Sequence, residues 1–423
     1  MATQALAIPG GERGKSEEYR AIALVSSAHF VNHFQGLVLP PLFPLLAATL
    51  GIGFVELGLA LTVASVVAVA AQLPVGFMVD RLGSRRMLVL ALLVGGTAFV
   101  LFGLTLSYRW LLLAMAFLGL ANSVFHPADY AILSDVIPSA RLGRAFSIHT
   151  FAGFLGNAIA PITMLAIAAT VGLGLAIVTA GVFAFVVAVP LSLARGVDSV
   201  GRRLHPAQPA SAGGGLGGLT SILTPTILGL TGFFALMSLS GSGISNFSVV
   251  ALTSAFGTSL SVASLALTAY LSAQALGVLL GGFIADLTRR HAEVAAVGYA
   301  VNACIVLGIG TLGLGAVPLV AAMSCAGLLS GMIMPSRDML VRAAAPAGAV
   351  GRTFGIVTSG FGIGGMVGPL MFGFAMDHGA PQWVFGISVI LMIAVSVVAL
   401  IGDRRAAANR QRRAGQPAAA SAD

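Results

Sequence analysis

Twelve stretches of mainly apolar sequence constrain this chain more than any other feature. Each is about 20 residues or longer, the length of helix that crosses the hydrocarbon core of a bilayer. They fall at 20–48, 55–79, 86–106, 110–133, 144–168, 173–194, 222–251, 259–285, 292–313, 316–340, 352–376 and 382–402. Most connections between them are a few residues long, so consecutive helices run antiparallel. The expected fold class is therefore all-α integral membrane, with twelve transmembrane helices. Composition agrees: 57% of the 423 residues are apolar and 9% are charged, against about 25% charged in an average soluble domain. That balance excludes a soluble globular fold and intrinsic disorder.

The longest interruption is 195–221, which carries Arg195, Arg202, Arg203, Pro206, Pro209 and three consecutive glycines from Gly213. It reads as a flexible polar linker between two six-helix halves. The expected organisation is a tail at 1–19, halves at 20–194 and 222–402, the linker at 195–221, and a basic tail at 403–423. Residues 1–20 are polar, without the apolar core of a cleavable signal peptide. Cys304 and Cys325 lie in apolar runs and read as small buried hydrophobes rather than a disulfide or zinc framework.

Charge placement explains the net charge of +8. With an even number of spans both termini share one side. That side collects Arg13, Lys15, Arg20, Arg81, Arg85, Arg86, Arg141, Arg144, the linker arginines, Arg289, Arg290, Arg342, Arg352 and the tail arginines. The opposite loops hold Arg109, and Arg337 lies within a helix. The positive-inside rule puts both ends in the cytoplasm. The basic balance is thus a topology signal, and no nucleic acid is expected as a partner.

The halves repeat each other. At an offset of 208, thirteen residues between Ala114 and Pro161 recur between Ala322 and Pro369 without a gap. They include Gly119/Gly327, Pro127/Pro335, the pair Gly143 and Arg144 with Gly351 and Arg352, and Gly156/Gly364. Six spans separate the copies, so the repeat is parallel. Alternating-access transporters are built this way, with the substrate near the midplane between the halves.

The turn after the second span reads Gly76, Asp80, Arg81, Gly83, Arg85 and Arg86 at Gly-x-x-x-Asp-Arg-x-Gly-x-Arg-Arg spacing. This resembles the signature loop of the major facilitator superfamily. A shorter version in the second half keeps Gly282, Asp286, Arg289 and Arg290. Within that superfamily, His29-x-x-Asn32 with Pro40 and Pro44, and the stretch from Ser123 to His126 and Pro127, resemble the fosmidomycin-resistance branch of drug exporters. The resemblance implies a secondary active transporter, driven by the proton gradient without a bound cofactor. It would move a small organic compound across a bacterial inner membrane as a monomer surrounded by lipid. Export is favoured over uptake. A non-transporting sensor and a membrane-embedded enzyme are the other readings, the second lacking an acid–base or metal cluster at an interface. Gly10 to Ser16 imitates a phosphate loop one residue short, with no strand before it.

The resemblance implies that Gly76, Asp80, Arg81, Gly83, Arg85 and Arg86, with Asp286, Arg289 and Arg290, form a cytoplasmic gate. Asp129 and Asp135 are candidate partners for Arg85 and Arg86. In span 5, Asn157 stands where an antiporter motif has proline, near Gly153 and Gly156. In span 7, the polar run Ser238 to Asn246 lines a cavity or a gate, or else is a loop.

Ionisable and polar residues inside spans are costly and are functional candidates by default. His29, Asn32, His33, His126, Asn157, Gln274 and Arg337 are the candidate substrate-binding residues. Arg337 and the span-1 histidines would form a positive rim for an anionic group, with Arg337 paired to Asp338 or Asp129 as the alternative. Asp129 and Asp338 are the proton-coupling candidates, alongside the histidines, which titrate near neutrality. His29 and His33 share a helix face, but two ligands are too few for a metal site. Ser147, His149 and Asp135 form no credible hydrolase set. Single cysteines at Ser107 and Ser211 are expected to label on opposite sides of intact cells with an impermeant thiol reagent. Labelling of Ser211→Cys from outside would reverse the orientation.

Overall fold

The computed structural model describes residues 15–194, 224–346 and 350–414, so the linker at 195–221 and the tail beyond 414 lie outside the described residues. Twelve helices are long and apolar enough to cross a membrane, and no strand occurs among the described residues. Hydrocarbon offers no partner to a free backbone N–H or C=O, so each span must satisfy its own as a helix. Spans 1–6 are Lys15–Leu50, Phe54–Leu82, Ser84–Thr105, Tyr108–Val136, Ser139–Val171 and Leu173–Leu193. Spans 7–12 are Pro225–Phe256, Leu260–Leu287, His291–Thr311, Ala316–Ala344, Thr353–Asp377 and Trp383–Gly402.

Three elements differ from the sequence expectation. Span 1 is not one helix: it stops at Gly36, makes a 3-10 turn over Pro40–Leu42 and resumes at Phe43. Pro40 and Pro41 have no N–H to continue the ladder. Span 7 stays helical through its polar run and accommodates it with a π-helical turn over Gly243–Phe247, so it is no loop. The helix of span 12 runs on to Ala414, taking in the start of the expected tail. Cys304 and Cys325 are free and exposed on the outside of the bundle. Their apolar neighbourhood is membrane rather than protein interior, which corrects the reading of both as buried.

Within each half the same pairs pack: span 1 on span 5 like span 7 on span 11, 2 on 4 like 8 on 10, and 3 on 6 like 9 on 12. The repeat's glycines make these contacts. A methyl at Gly119 would collide with the Ala64 carbonyl, and one at Gly327 with that of Tyr270. Gly156 lies as close to the Phe30 carbonyl, and Gly364 to the Ser238 side chain. Small residues at such crossings let backbones touch, which is how helices associate when lipid competes for every apolar side chain.

The halves meet through span 2 on span 11 and span 5 on span 8, with Pro40–Leu42 against Gly243–Phe247. The residues of the first contact lie towards the end of the bundle opposite the chain termini, here the far end. Asp377 Oδ1 and Oδ2 accept hydrogen bonds from Phe54 N (2.7 Å) and Val55 N (2.8 Å). Asp377, from one half, therefore caps the first turn of span 2 in the other, satisfying N–H groups that a helix start leaves open. Thr62 Oγ1 donates to Met366 O at 2.7 Å, and Gly58 presses on the Pro369 carbonyl. Towards the terminal end Leu73, Phe77 and Leu82 of span 2, and Phe283 and Leu287 of span 8, are exposed.

Removing a helix cap costs about 1 kcal/mol, so Asp377→Ala should lower the population ratio favouring the sealed far end roughly fivefold. Spin labels at Thr49 and Ser254, both at the far end, would report this as a second, longer distance. An unchanged distribution would mean the cap does not hold the seal.

Candidate functional site

Between the halves lies a cavity of about 430 Å³. Spans 1, 4 and 5 contribute Asn32, His33, Asn122, His126 and Asn157, and spans 7 and 8 contribute Ser245, Asn246 and Gln274. Leu37, Leu61, Leu118 and Leu271 supply apolar wall, with Gly365 and Pro369 from span 11. No Lys, Arg, Asp or Glu is among these lining residues. The cavity is thus ringed by carboxamides, which donate and accept, and by two imidazoles.

The carboxamides are held in place. Asn32 Nδ2 donates to Asn122 Oδ1 at 2.9 Å, and Asn157 Nδ2 to His33 Nδ1 at 3.0 Å. Asn246 Nδ2 donates to Ser242 Oγ at 3.1 Å, beside the π-helical turn. That turn widens the helix by one residue and sets Ser245 and Asn246 on the cavity wall. Gln35, next to the expected polar face of span 1, is instead buried and donates to Ala180 O at 3.4 Å.

Behind the cavity wall, spans 1, 4 and 5 close on a buried ionisable cluster. Asp129 is 0% exposed, His149 1% and His29 3%. His29 Nδ1 and Asp129 Oδ2 share a hydrogen bond of 3.1 Å. His149 Nε2 stands 3.5 Å from the same oxygen, at ion-pair distance but without hydrogen-bond geometry. The His29 ring centroid lies 3.9 Å from that of His149, 4.5 Å from His33 and 5.4 Å from His126. Gly153 makes room: a methyl there would come within 2.7 Å of the His29 ring.

The sequence candidates divide on this geometry. Asn32, His33, His126, Asn157 and Gln274 face one cavity. His29 does not line it and belongs to the buried cluster with Asp129. Asp129 is not a partner for Arg85 or Arg86: it is sealed among histidines, while Arg85 Nη1 donates to Ser192 O at 2.5 Å, at the end of span 6. Arg337 joins neither the cavity nor the span-1 histidines, so the positive rim is not formed. Its guanidinium lies over the rings of Phe234 (4.8 Å) and Phe361 (5.2 Å), and its Nε donates to Asp338 Oδ1 at 2.9 Å. Of its two alternatives the pairing with Asp338 is realised and that with Asp129 is not. Asp338 is accordingly tied to Arg337, outside the cavity lining.

At the terminal end Asp80, Arg81 and Arg86 are exposed, as are Asp286, Arg289 and Arg290, while Gly83 makes the turn at φ 93°. Gly76 has open space around it. Among the described residues no ion pair joins Asp80 to these arginines, and Arg290 pairs with Glu293 at 3.3 Å. Arg141 binds Glu18 at 2.8 Å, fastening span 5 to span 1.

Three residues of this architecture are not among the sequence candidates. His149 is a lone imidazole within a span, a signal in its own right, but its nearness to Asp129 follows only from packing. Asn122 lies one turn before His126, on the same face. Asp377 ends span 11, and its bonds to Phe54 and Val55 follow only from the packing of the two halves. A ring nitrogen of His29, one of His149 and a carboxylate oxygen of Asp129 lie within 4.8 Å of one another.

Comparison with known proteins came to the same architecture. The Major Facilitator Superfamily family model matches residues 25–242 and 228–422. The fosmidomycin resistance protein of Escherichia coli is 24% identical over 390 residues, covering 91% of this chain and 93% of that one. A Na+, Li+, K+/H+ antiporter of Planococcus maritimus is 34% identical over 125 residues, 28% of this chain and 29% of that one. Among solved structures, a bacterial homologue of the human lysosomal transporter Spinster, in an inward-facing and unoccupied conformation, superposes with a TM-score of 0.76. It has 16% identity and covers 92% of this chain and 96% of that one. The nucleoside transporter NupG gives 0.71 at 15% identity, covering 90% and 99%.

Arg337→Lys keeps the charge but loses the flat guanidinium that stacks between two rings. It should lower thermal stability by about 1 kcal/mol and leave apparent substrate affinity unchanged. Weakened affinity at unchanged melting temperature would return Arg337 to the binding site.

Proposed function

Because this chain belongs to the Major Facilitator Superfamily and is a membrane transporter of small molecules rather than an enzyme, we propose that it is a proton-driven exporter of a small polar organic compound. The observation that carries this reading is the cavity between the halves, walled by both, with the two halves fastened together at the far end by Asp377. Such a cavity can be offered to each side in turn if the halves rock about it, which is alternating access. Loop charges support placing the terminal end in the cytoplasm of a bacterial inner membrane. On that reading the state described here is open to the cytoplasm.

The lining supports a substrate rich in hydrogen-bonding groups. Asn122, Asn157 and Gln274 can each donate and accept, and the leucines take an apolar portion. An anionic group would be placed against His33 and His126 when these carry protons, not against Arg337. The exposed signature loop is consistent with a latch that engages only when the terminal end closes, with Asp80 as its acid. The full-length similarity to the fosmidomycin resistance protein supports export and supplies a first compound to test.

Proteoliposomes loaded with the purified protein would be assayed for fosmidomycin movement under an imposed pH gradient. Uphill movement that collapses with a protonophore is expected. Movement only down its own gradient, unaffected by the protonophore, would remove proton coupling. No movement of fosmidomycin or of a panel of polar organic compounds would remove the exporter reading.

A further inference from the structure

We propose that Asp129, His29 and His149 form one proton-binding site inside the first half, that the site holds its proton in the state with the far end sealed, and that His33 and Asn157 link its occupancy to the substrate cavity. This rests on the reading of the chain as proton-driven and assigns the coupling group that reading leaves open.

The geometry points to it in three ways. Asp129 Oδ1 and both nitrogens of His149 are buried without a hydrogen-bond partner, beside the one contact that His29 makes. His29 from span 1 and His149 from span 5 stand against the carboxyl, and around these two rings lie His33 from span 1 and His126 and Tyr130 from span 4. Among the described residues, no Lys or Arg pairs with it. A lone charge in such a place is severely unfavourable. The cluster must therefore be neutral as a whole. It holds one proton more than a bare carboxylate among neutral imidazoles, either on Asp129 or on one of the histidines. Loss of that proton leaves a net negative charge with no cation to meet it.

A route and a lever are both present. His33 and His126 face the cavity, and their rings lie near His29. A proton on Asp129 can leave through His29 and His33 to cavity water, and one can return the same way, so each exchange moves one proton and no other atom. His33 Nδ1 accepts from Asn157, and Asn157 stands on span 5, the span that also carries His149 and packs on span 8 of the other half. Deprotonation would force spans 1, 4 and 5 apart or admit water between them. Either shifts span 5 against the second half. A substrate that takes the Asn157 donor acts on the same lever.

The test needs no substrate. Full-length protein, with Cys304 and Cys325 replaced by serine, carries spin labels at Leu82 and Leu287, on the terminal ends of spans 2 and 8. The distance is followed from about pH 5.5 to about pH 8.5, the range in which histidine-linked sites exchange protons. The wild-type distribution is expected to shift with pH. Asp129→Asn, which keeps the size of the side chain, should lose the shift while melting within a few degrees of wild type. His149→Gln should reduce it. His291→Gln, a histidine outside the cluster, should leave it intact. A shift preserved in Asp129→Asn, or no shift in the wild type, would overturn the proposal. So would a cobalt(II) absorption band that requires His149, since the cluster would then be a metal centre. Failure of fosmidomycin transport with the Asp129-dependent shift intact would count against the exporter reading alone and leave the proton site standing.

Discussion

Everything in this bundle depends on helix backbones meeting where a side chain would hold them apart. Lipid is as apolar as leucine, so burying leucine between spans gains little over leaving it in the membrane. Close contact at small residues provides the attraction instead. The repeat preserves those contacts in pairs: Gly119 and Gly327 bring spans 4 and 10 onto spans 2 and 8, while Gly156 and Gly364 bring spans 5 and 11 onto spans 1 and 7. Each half is thereby a body with fixed internal packing. Between the halves, the span 2–span 11 contact uses the same device, with Gly58 on Pro369 and Gly373 on Phe54, but only towards the far end. That contact fastens the halves together at the far end.

The close packing also explains where the ionisable cluster can exist. Gly153 lets span 5 approach His29 closely enough to bring His149 against Asp129. Any larger residue there would push span 5 away and admit water to the carboxyl. The second half has no counterpart, since Arg337 occupies the repeat position of Asp129 and is held by Asp338, Phe234 and Phe361. The two halves share a fold and divide the work. The first holds the buried ionisable cluster, and both build the cavity.

Twelve spans, two parallel halves and the terminal charge bias were readable directly, because span length and loop charge are local properties of the chain. The polar face of span 1 and Gln274 were readable for the same reason: a polar group in a membrane helix must face something. What could not be read was the pairing of residues far apart in sequence. Asp377 meets Phe54 across 323 positions, and nothing near either residue announces it. Position along the span alone makes Asp129 both a candidate partner for the signature-loop arginines and a proton-coupling candidate. Which helix face a residue occupies is fixed by packing, and packing placed it among histidines. Arg337 was assigned to the cavity by its charge alone, whereas its two aromatic neighbours stand on spans 7 and 11.

If the two halves rock about the cavity, that one cavity serves two sides. Following both ends at once in single molecules tests it most directly, with one dye pair at the far ends of spans 1 and 7 and a second at the terminal ends of spans 2 and 8. Rocking of the halves moves the two distances in opposite senses, the far pair lengthening as the terminal pair shortens. Two distances that rise and fall together, or a far pair that never lengthens, would contradict it.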